Sequence, residues 1–214
     1  MDRSMTVRRI VFGALLWVAA MPLTSPDAHA QDQTAAVRLD IENARVVLSK
    51  YQDPMVAVHD GYLSTVTCMD YPRGSDAADD MGYQPGGMGV HFLNASLIGP
   101  RLDPARPQVL IYEPEGDSLR LVAAEWFVPV AVLNRPSATT RPMGTLAPRL
   151  FGRSLDGPME GHRPIMPAAM HHWDLHVWLW KDNPSGMFSP TNPGVKCPTT
   201  GYSSAEDTPR VSRH

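Results

Sequence analysis

The sequence predicts an α+β fold in which N-terminal helices pack on a mainly antiparallel β-sheet or partial barrel. Residues 31–52 repeat apolar side chains at steps of three and four, which is the period of a helix. Alternating and apolar runs after residue 87 have the composition of strands. The 214 residues include 21 prolines and 16 glycines, so we expect long Pro/Gly-rich loops between these elements.

The first 30 residues have the pattern of a secretory signal peptide. Three arginines among the first nine residues form a basic start, and an uncharged apolar run covers residues 10–21. The tripeptide Ala28-His29-Ala30 follows as a small-x-small cleavage site. A membrane anchor is the alternative, but the run is shorter than the ~18 residues of a membrane span. The sequence therefore predicts an exported protein, periplasmic or secreted, whose mature chain begins at Gln31.

Asp53-Pro54 separates the helix over residues 31–52 from a second, shorter helix. Aspartate is a preferred N-cap, and proline is a preferred first residue of a helix. We therefore expect a helix from Met55 to Asp60. This helix should end at Gly61, because glycine readily adopts the left-handed conformation that ends helices.

Strands are predicted where apolar side chains alternate or run together between turn residues. Glu115-Gly116-Asp117 is predicted as a turn between two strands, and Pro129 should end or bulge the second of them. The segments 70–87 and 134–167 are rich in proline and glycine and are predicted as loops. The four predicted strands are residues 88–94, 108–112, 118–132 and 170–180.

Export would place Cys68 and Cys197 in an oxidising compartment, where two cysteines most simply form a disulfide. The loop closed by this bond, about 130 residues, would span nearly the whole globular region. Residues 31–198 are therefore predicted to form a single domain, with 199–214 as a flexible tail. Two free thiols or a thiolate metal ligand are the alternatives.

The composition excludes several classes of protein. A hydrophobic content of 43% excludes a disordered chain, and a formal net charge of −3 gives no basis for nucleic-acid binding. No segment after residue 30 reaches the ~18 apolar residues of a membrane span, so we expect no stable membrane insertion after signal cleavage. The expected partner is a small molecule or a metal ion.

The segment 170–180 contains the densest group of candidate site residues. On a strand, His172, Asp174 and His176 project from one face at steps of about 7 Å. The two histidines are then about 13 Å apart and cannot easily share one metal on a straight strand. The carboxylate between them suits the orientation of an imidazole ring.

Glu125 and His91 lie in two other predicted strands. Alternation places Glu125 on a stripe from residue 119 to 127 that is otherwise apolar, and a buried carboxylate needs a metal, a cation or hydrogen-bond donors. Two histidines and a glutamate from separate strands form a three-ligand set with open positions. We therefore predict that His91, Glu125 and His176 bind a divalent metal, which is zinc, iron or copper. In a metal-dependent enzyme, Asp174 or His172 would handle protons.

Three other interpretations of the polar residues are open. The first is a buried hydrogen-bond network that only stabilises the fold. The second is a periplasmic copper-handling protein that binds the metal through thioether and imidazole groups. Its candidate ligands are Met166, Met170, His171 and His172. The third is a non-catalytic module that binds its ligand in an aromatic groove. The candidates for that groove are Trp126, Trp178 and Trp180.

Several segments carry a resemblance to a protein family. They include Gly87–Asn94, with the pattern MGxHxxN, Leu119–Glu125, with LRLVxxE, His172–Trp180, with HxxLHVWLW, and Asn183–Phe188, with NPSGMF before Cys197. Together they resemble a family of uncharacterised exported bacterial proteins, over most of residues 50–197. Trp173 stands where the family pattern has tyrosine. The resemblance implies no known activity, but it places the histidines and Glu125 in shared segments.

Overall fold

The structure is a computed structural model that describes residues 26–71, 84–130, 147–161, 170–199, 201 and 203–205. The apolar run of the predicted signal peptide lies outside the described residues. Met166 and most of the predicted tail lie outside them as well. Between these gaps, helices, a curled sheet and a C-terminal segment are described.

The N-terminal helix α1 covers Pro26–Leu48, and a 3-10 helix over Ser49–Gln52 follows it directly. The buried side chains of this region are spaced as the helical period predicts. They are Ile41, Ala44, Leu48 and Tyr51. All four belong to one apolar cluster that also contains sheet residues. The predicted helix over residues 31–52 is therefore confirmed, and it starts upstream of the predicted cleavage site.

The short helix α2 covers Pro54–His59 and has the predicted ends. The Asp53 carboxylate accepts a hydrogen bond of 2.9 Å from the backbone N–H of Met55, which is the contact of an N-cap. Gly61 follows the helix with φ +92°, in the left-handed region that favours glycine. The predicted N-cap at Asp53 and the predicted helix end at Gly61 are therefore confirmed.

A strongly curled half-barrel sheet forms the body of the protein. Its strand order is β7-β8-β4-β3-β2-β1-β9, and every neighbouring pair is antiparallel except β1 with β9. The predicted mainly antiparallel sheet or partial barrel is confirmed at this level. The strands are β1 (Leu63–Tyr71), β2 (Gly86–Leu93), β3 (Val109–Glu115), β4 (Ser118–Pro129), β5 (Arg149–Leu150), β6 (Arg153–Ser154), β7 (Asp156–Met159), β8 (His172–Val177) and β9 (Ser203–Ala205).

Four of these strands, β2, β3, β4 and β8, were predicted, and β4 ends at Pro129 as expected. The predicted loops at 70–87 and 134–167 are partly wrong, because β1 ends at Tyr71 and β5, β6 and β7 lie in the second segment. Strand β7 contains Gly157 and Pro158, and a proline is tolerated there because β7 is an edge strand. Strand β9 lies in the predicted tail.

A β-bulge in β4 changes which residues share a face. Ile111 pairs with Ala123 and Tyr112 pairs with Leu121, so Val122 is the extra residue on β4. The predicted single stripe from residue 119 to 127 is therefore wrong, because a one-residue shift moves side chains to the other face. Leu121 belongs to one apolar cluster, and Ala123 belongs to another. Glu125 shares its face with Ala123.

Two apolar clusters cover the two faces of the sheet, and alternate residues of β3 belong to one or the other. The first cluster contains the helix residues named above and the sheet residues Leu110, Tyr112, Trp126 and Leu175. The second cluster contains Met69, Met88, Val109, Ile111, Phe127, Trp178 and Val195. Glu125 pairs with Val109 across β3 and β4, so its carboxyl group lies on the face of the second cluster.

The C-terminal segment is held against β1 and β2. Cys68 and Cys197 form the predicted disulfide. Gly87 and Asn192 exchange two backbone hydrogen bonds of 3.1 and 2.9 Å. A side chain at Gly86 would put its Cβ 2.6 Å from the Asn192 backbone, so glycine is required for this close approach.

We expect the Cys68→Ala/Cys197→Ala double variant to lose about 2–5 kcal/mol of unfolding free energy, because the unfolded chain regains the entropy that the closed loop removes. Urea unfolding with and without reductant measures this loss. Reductant should lower the wild-type midpoint to that of the variant and leave the variant unchanged. A wild-type midpoint that does not respond to reductant would contradict the assignment.

Candidate metal centre

Three strands of the sheet bring His91, Glu125 and His176 together. Glu125 on β4 pairs directly with His176 on β8. His91 on β2 pairs with Ile111 of β3, so it reaches Glu125 diagonally across that strand. All three side chains are buried, with 1–3% of each residue exposed. The three residues that were predicted as metal ligands therefore meet at one point of the sheet.

The distances at this point are those of ligands to a shared ion rather than of hydrogen bonds. The Nε2 atoms of His91 and His176 each lie 3.6 Å from the same Oε2 atom of Glu125. This separation is too long for a hydrogen bond. Two ligand atoms on one tetrahedral zinc ion would lie about 3.4 Å apart, given ligand bonds of ~2.0–2.1 Å. Within the described part of the chain, His176 Nε2 is buried and forms no hydrogen bond.

The backbone orients the His91 ring toward Glu125. The Nδ1 atom of His91 lies 3.3 Å from the carbonyl oxygen of Gly89. Because a carbonyl oxygen only accepts hydrogen bonds, Nδ1 carries the proton and Nε2 directs a lone pair at the carboxyl group. A backbone carbonyl in this role is a common support for metal-binding histidines.

Asp174 and His172 form a second group beside the first. The Oδ2 atom of Asp174 lies 3.7 Å from His172 Nε2 and 3.9 Å from His176 Nδ1. Potential ligand atoms of Glu125, His172 and Asp174 all lie within 4.8 Å of one another. His172 and His176 fall into different groups, as the strand spacing predicts. Glu125 belongs to both groups.

Burial sets the protonation of the site. Burial raises the pKa of Glu125 well above its ordinary value, and the charge of Asp174 raises it further. Burial lowers the pKa of His91 to about 3, with a smaller contribution from His176. The pKa of His176 is also lowered, mainly by burial. The histidines are therefore neutral, which is the form that binds metals.

Tyr71 is a neighbour of the site that the sequence did not reveal. It lies at the end of β1 and is 3% exposed. Its pKa is raised by burial and, to a smaller degree, by the charges of Asp174 and Glu125. It was missed because β1 was not predicted. The alternation of Met69 and Tyr71 around Asp70 was the available signal.

The predicted tryptophan groove is wrong. Trp126 belongs to the first cluster and Trp178 to the second, so they lie on opposite faces of the sheet. Both are buried, with 0% and 3% of the residue exposed. Each indole N–H donates to a backbone carbonyl oxygen, at 2.8 Å and 2.6 Å. Trp180 is partly buried against the first cluster.

The residues proposed for copper are only partly described. Met170 packs against the second cluster, and its carbonyl oxygen lies 3.4 Å from His172 Nδ1. Met166 lies outside the described residues. The described neighbours of Glu125 are nitrogen and oxygen donors, which suit zinc and iron as well as copper.

Comparisons with known proteins found no matching family model, no curated relative and no similar solved structure. The resemblance to exported bacterial proteins therefore stays a prediction. No helix among the described residues is long and apolar enough to cross a membrane.

We expect Gly89→Ala to destabilise the protein by about 1–3 kcal/mol, because Gly89 has a positive φ and an added side chain is strained there. The new Cβ would also lie 2.6 Å from the Tyr112 carbonyl oxygen and would displace the backbone that orients His91. Gly116→Ala is the matched control, because Gly116 has φ +60° but no neighbour within 4 Å. Urea unfolding compares the two variants. Equal losses would contradict the role of the close contact.

In metal-free protein, we expect the unfolding free energy of the wild type to fall relative to Glu125→Gln as the pH rises above 4.5, the ordinary glutamate pKa. The raised pKa means that the folded state keeps a proton that the unfolded state has released, so deprotonation favours unfolding. Urea unfolding in chelator at a series of pH values measures the difference. A difference that is constant over pH would contradict an uncompensated buried carboxyl group.

Proposed function

We propose that this protein is an exported metal-binding protein that holds a divalent metal ion on His91, Glu125 and His176. One observation carries the proposal. Two neutral, buried imidazoles direct Nε2 atoms at a single carboxylate oxygen from 3.6 Å, a distance that a shared cation explains and a hydrogen bond does not.

Electrostatics support a cation at this point. A carboxylate in an apolar interior is unfavourable without a compensating charge. Among the described residues, the ion-pair contacts of Glu125 are with the two histidines, whose lowered pKa values leave them uncharged. A divalent ion would supply the missing positive charge and would bind the lone pairs of both rings.

Two histidines and one carboxylate are a ligand set of zinc enzymes and of non-haem iron(II) enzymes. Three protein ligands leave a coordination position for water or substrate. A bound ion would polarise that substrate or lower the pKa of that water. Asp174 lies beside the Nδ1 atom of His176, where it would hold the ring and accept a proton. We therefore favour a metal-dependent enzyme over a passive carrier.

The disulfide supports the exported location. Disulfides form and persist in oxidising compartments and are rare in the cytosol. The bond between Cys68 and Cys197 agrees with the signal-peptide pattern at the N-terminus.

We expect wild-type protein, purified without chelator or a histidine tag, to contain at least one equivalent of metal. His91→Ala, Glu125→Ala and His176→Ala should each contain less metal than the wild type, because each removes a ligand. Elemental analysis measures the metal. Added zinc should stabilise the wild type by about 2.7 kcal/mol at a concentration of 100 Kd and should stabilise the variants less.

The matched control is His59→Ala, because His59 is exposed on α2 and its loss should leave metal content unchanged. The identity of the metal separates hydrolytic or oxygen chemistry from copper handling. A wild type that contains no metal and takes up no zinc, iron or copper would sink the proposal. The polar cluster would then be a structural network.

A further inference from the structure

Glu125 is shared by two buried groups of potential ligands. The first group adds His91 and His176, and the second adds His172 and Asp174. In each group, the ligand atoms lie within 4.8 Å of one another. A carboxylate has two oxygens and can bind one ion with each of them. In enzymes with two metal ions, such groups hold the ions about 3.5–4 Å apart.

We propose that the site is a dinuclear metal centre in which Glu125 bridges two divalent ions. One ion binds to His91 and His176, and the other binds to His172 and Asp174. The inference rests on the proposed function for the first ion and adds the second. It also changes the expected role of Asp174 and His172, which become ligands instead of proton-handling groups.

The register of the sheet supplies both halves of this centre. Strand β8 presents His172, Asp174 and His176 at three successive positions of one face. Their partners on β4 are Pro129, Phe127 and Glu125. Asp174 lies between the two histidines, with Oδ2 3.7 Å from one ring and 3.9 Å from the other. His172 and His176 are too far apart along the strand to bind the same ion. The strand would therefore provide ligands to two ions.

The backbone orients His172 as it orients His91. The Nδ1 atom of His172 lies 3.4 Å from the Met170 carbonyl oxygen, and that of His91 lies 3.3 Å from the Gly89 carbonyl oxygen. In both cases the carbonyl belongs to the residue two positions earlier on the chain. Each ring thus directs Nε2 at a carboxylate, Asp174 for one and Glu125 for the other. This repeated arrangement supports one ion on each side of Glu125.

Two ions in this cluster would need an additional anionic ligand. Two carboxylates and three imidazoles are buried together, with each residue at most 3% exposed. One divalent ion would balance the two carboxylates. A second would leave excess positive charge, so the complete centre should also take up an anionic oxygen ligand, such as hydroxide or the oxyanion of a substrate.

The test is a titration of metal-free full-length protein with Co²⁺, with bound cobalt counted by elemental analysis after desalting. We expect two equivalents in the wild type and in His59→Ala, and one equivalent in His172→Ala and in His91→Ala. Wild type and His172→Ala that both bind one equivalent would overturn the second ion and leave the proposed function intact. A wild type that binds none would overturn both. Two equivalents in His172→Ala would overturn the assignment of the ligands.

A spectroscopic measurement on the wild type alone tests the proposal even if the variants do not fold. Two high-spin Co²⁺ ions joined by a carboxylate are magnetically coupled. We therefore expect the electron paramagnetic resonance signal to rise with the first equivalent and to fall as the second binds. A signal that doubles at two equivalents would place the ions apart and overturn the bridge.

Discussion

Burial of the Glu125 carboxyl group is the constraint on which the site depends. Glu125 lies on β4, with β3 on one side and β8 on the other, so water does not solvate its charge. Among the described residues, its Oε2 atom lies near one imidazole nitrogen from β2 and one from β8, at distances that hydrogen bonds do not span. A buried carboxylate needs a compensating positive charge or hydrogen-bond donors, and the surrounding side chains of the site face this one group.

The bulge at Val122 determines where this charge lies. Before the bulge, Leu121 faces the first cluster, and after it Ala123 and Glu125 face the second. The same strand can therefore contribute leucines to one core and a carboxylate to the other. A β4 without the extra residue would move one of these sets to the wrong face. The site therefore depends on the bulge as well as on the candidate ligands.

The parts of the fold that local chemistry determines were predictable from the sequence. The cap at Asp53, the end of β4 at Pro129 and the alternation of His172, Asp174 and His176 are examples. Strand β1 alternates clearly only at its end, around Asp70, and its backbone is irregular at Val66, with φ +60°. Strand β7 contains glycine and proline, so neither strand has the regular pattern that predicts one. The ligand types at the site were also visible. The pairing of Glu125 with His176 was not, because strand register depends on contacts between distant segments.

The disulfide closes a loop that contains the candidate site. His91, Glu125 and His176 come from strands far apart in sequence, so the unfolded chain does not contain the site. The free energy of metal binding would therefore add to the free energy that stabilises the folded state. All three lie inside the loop that Cys68 and Cys197 close. The disulfide lowers the entropy that must be lost to bring the strands together. A metal ion would then bind a chain in which residues 68 and 197 are already joined, so less entropy would be lost when the distant candidate ligands come together.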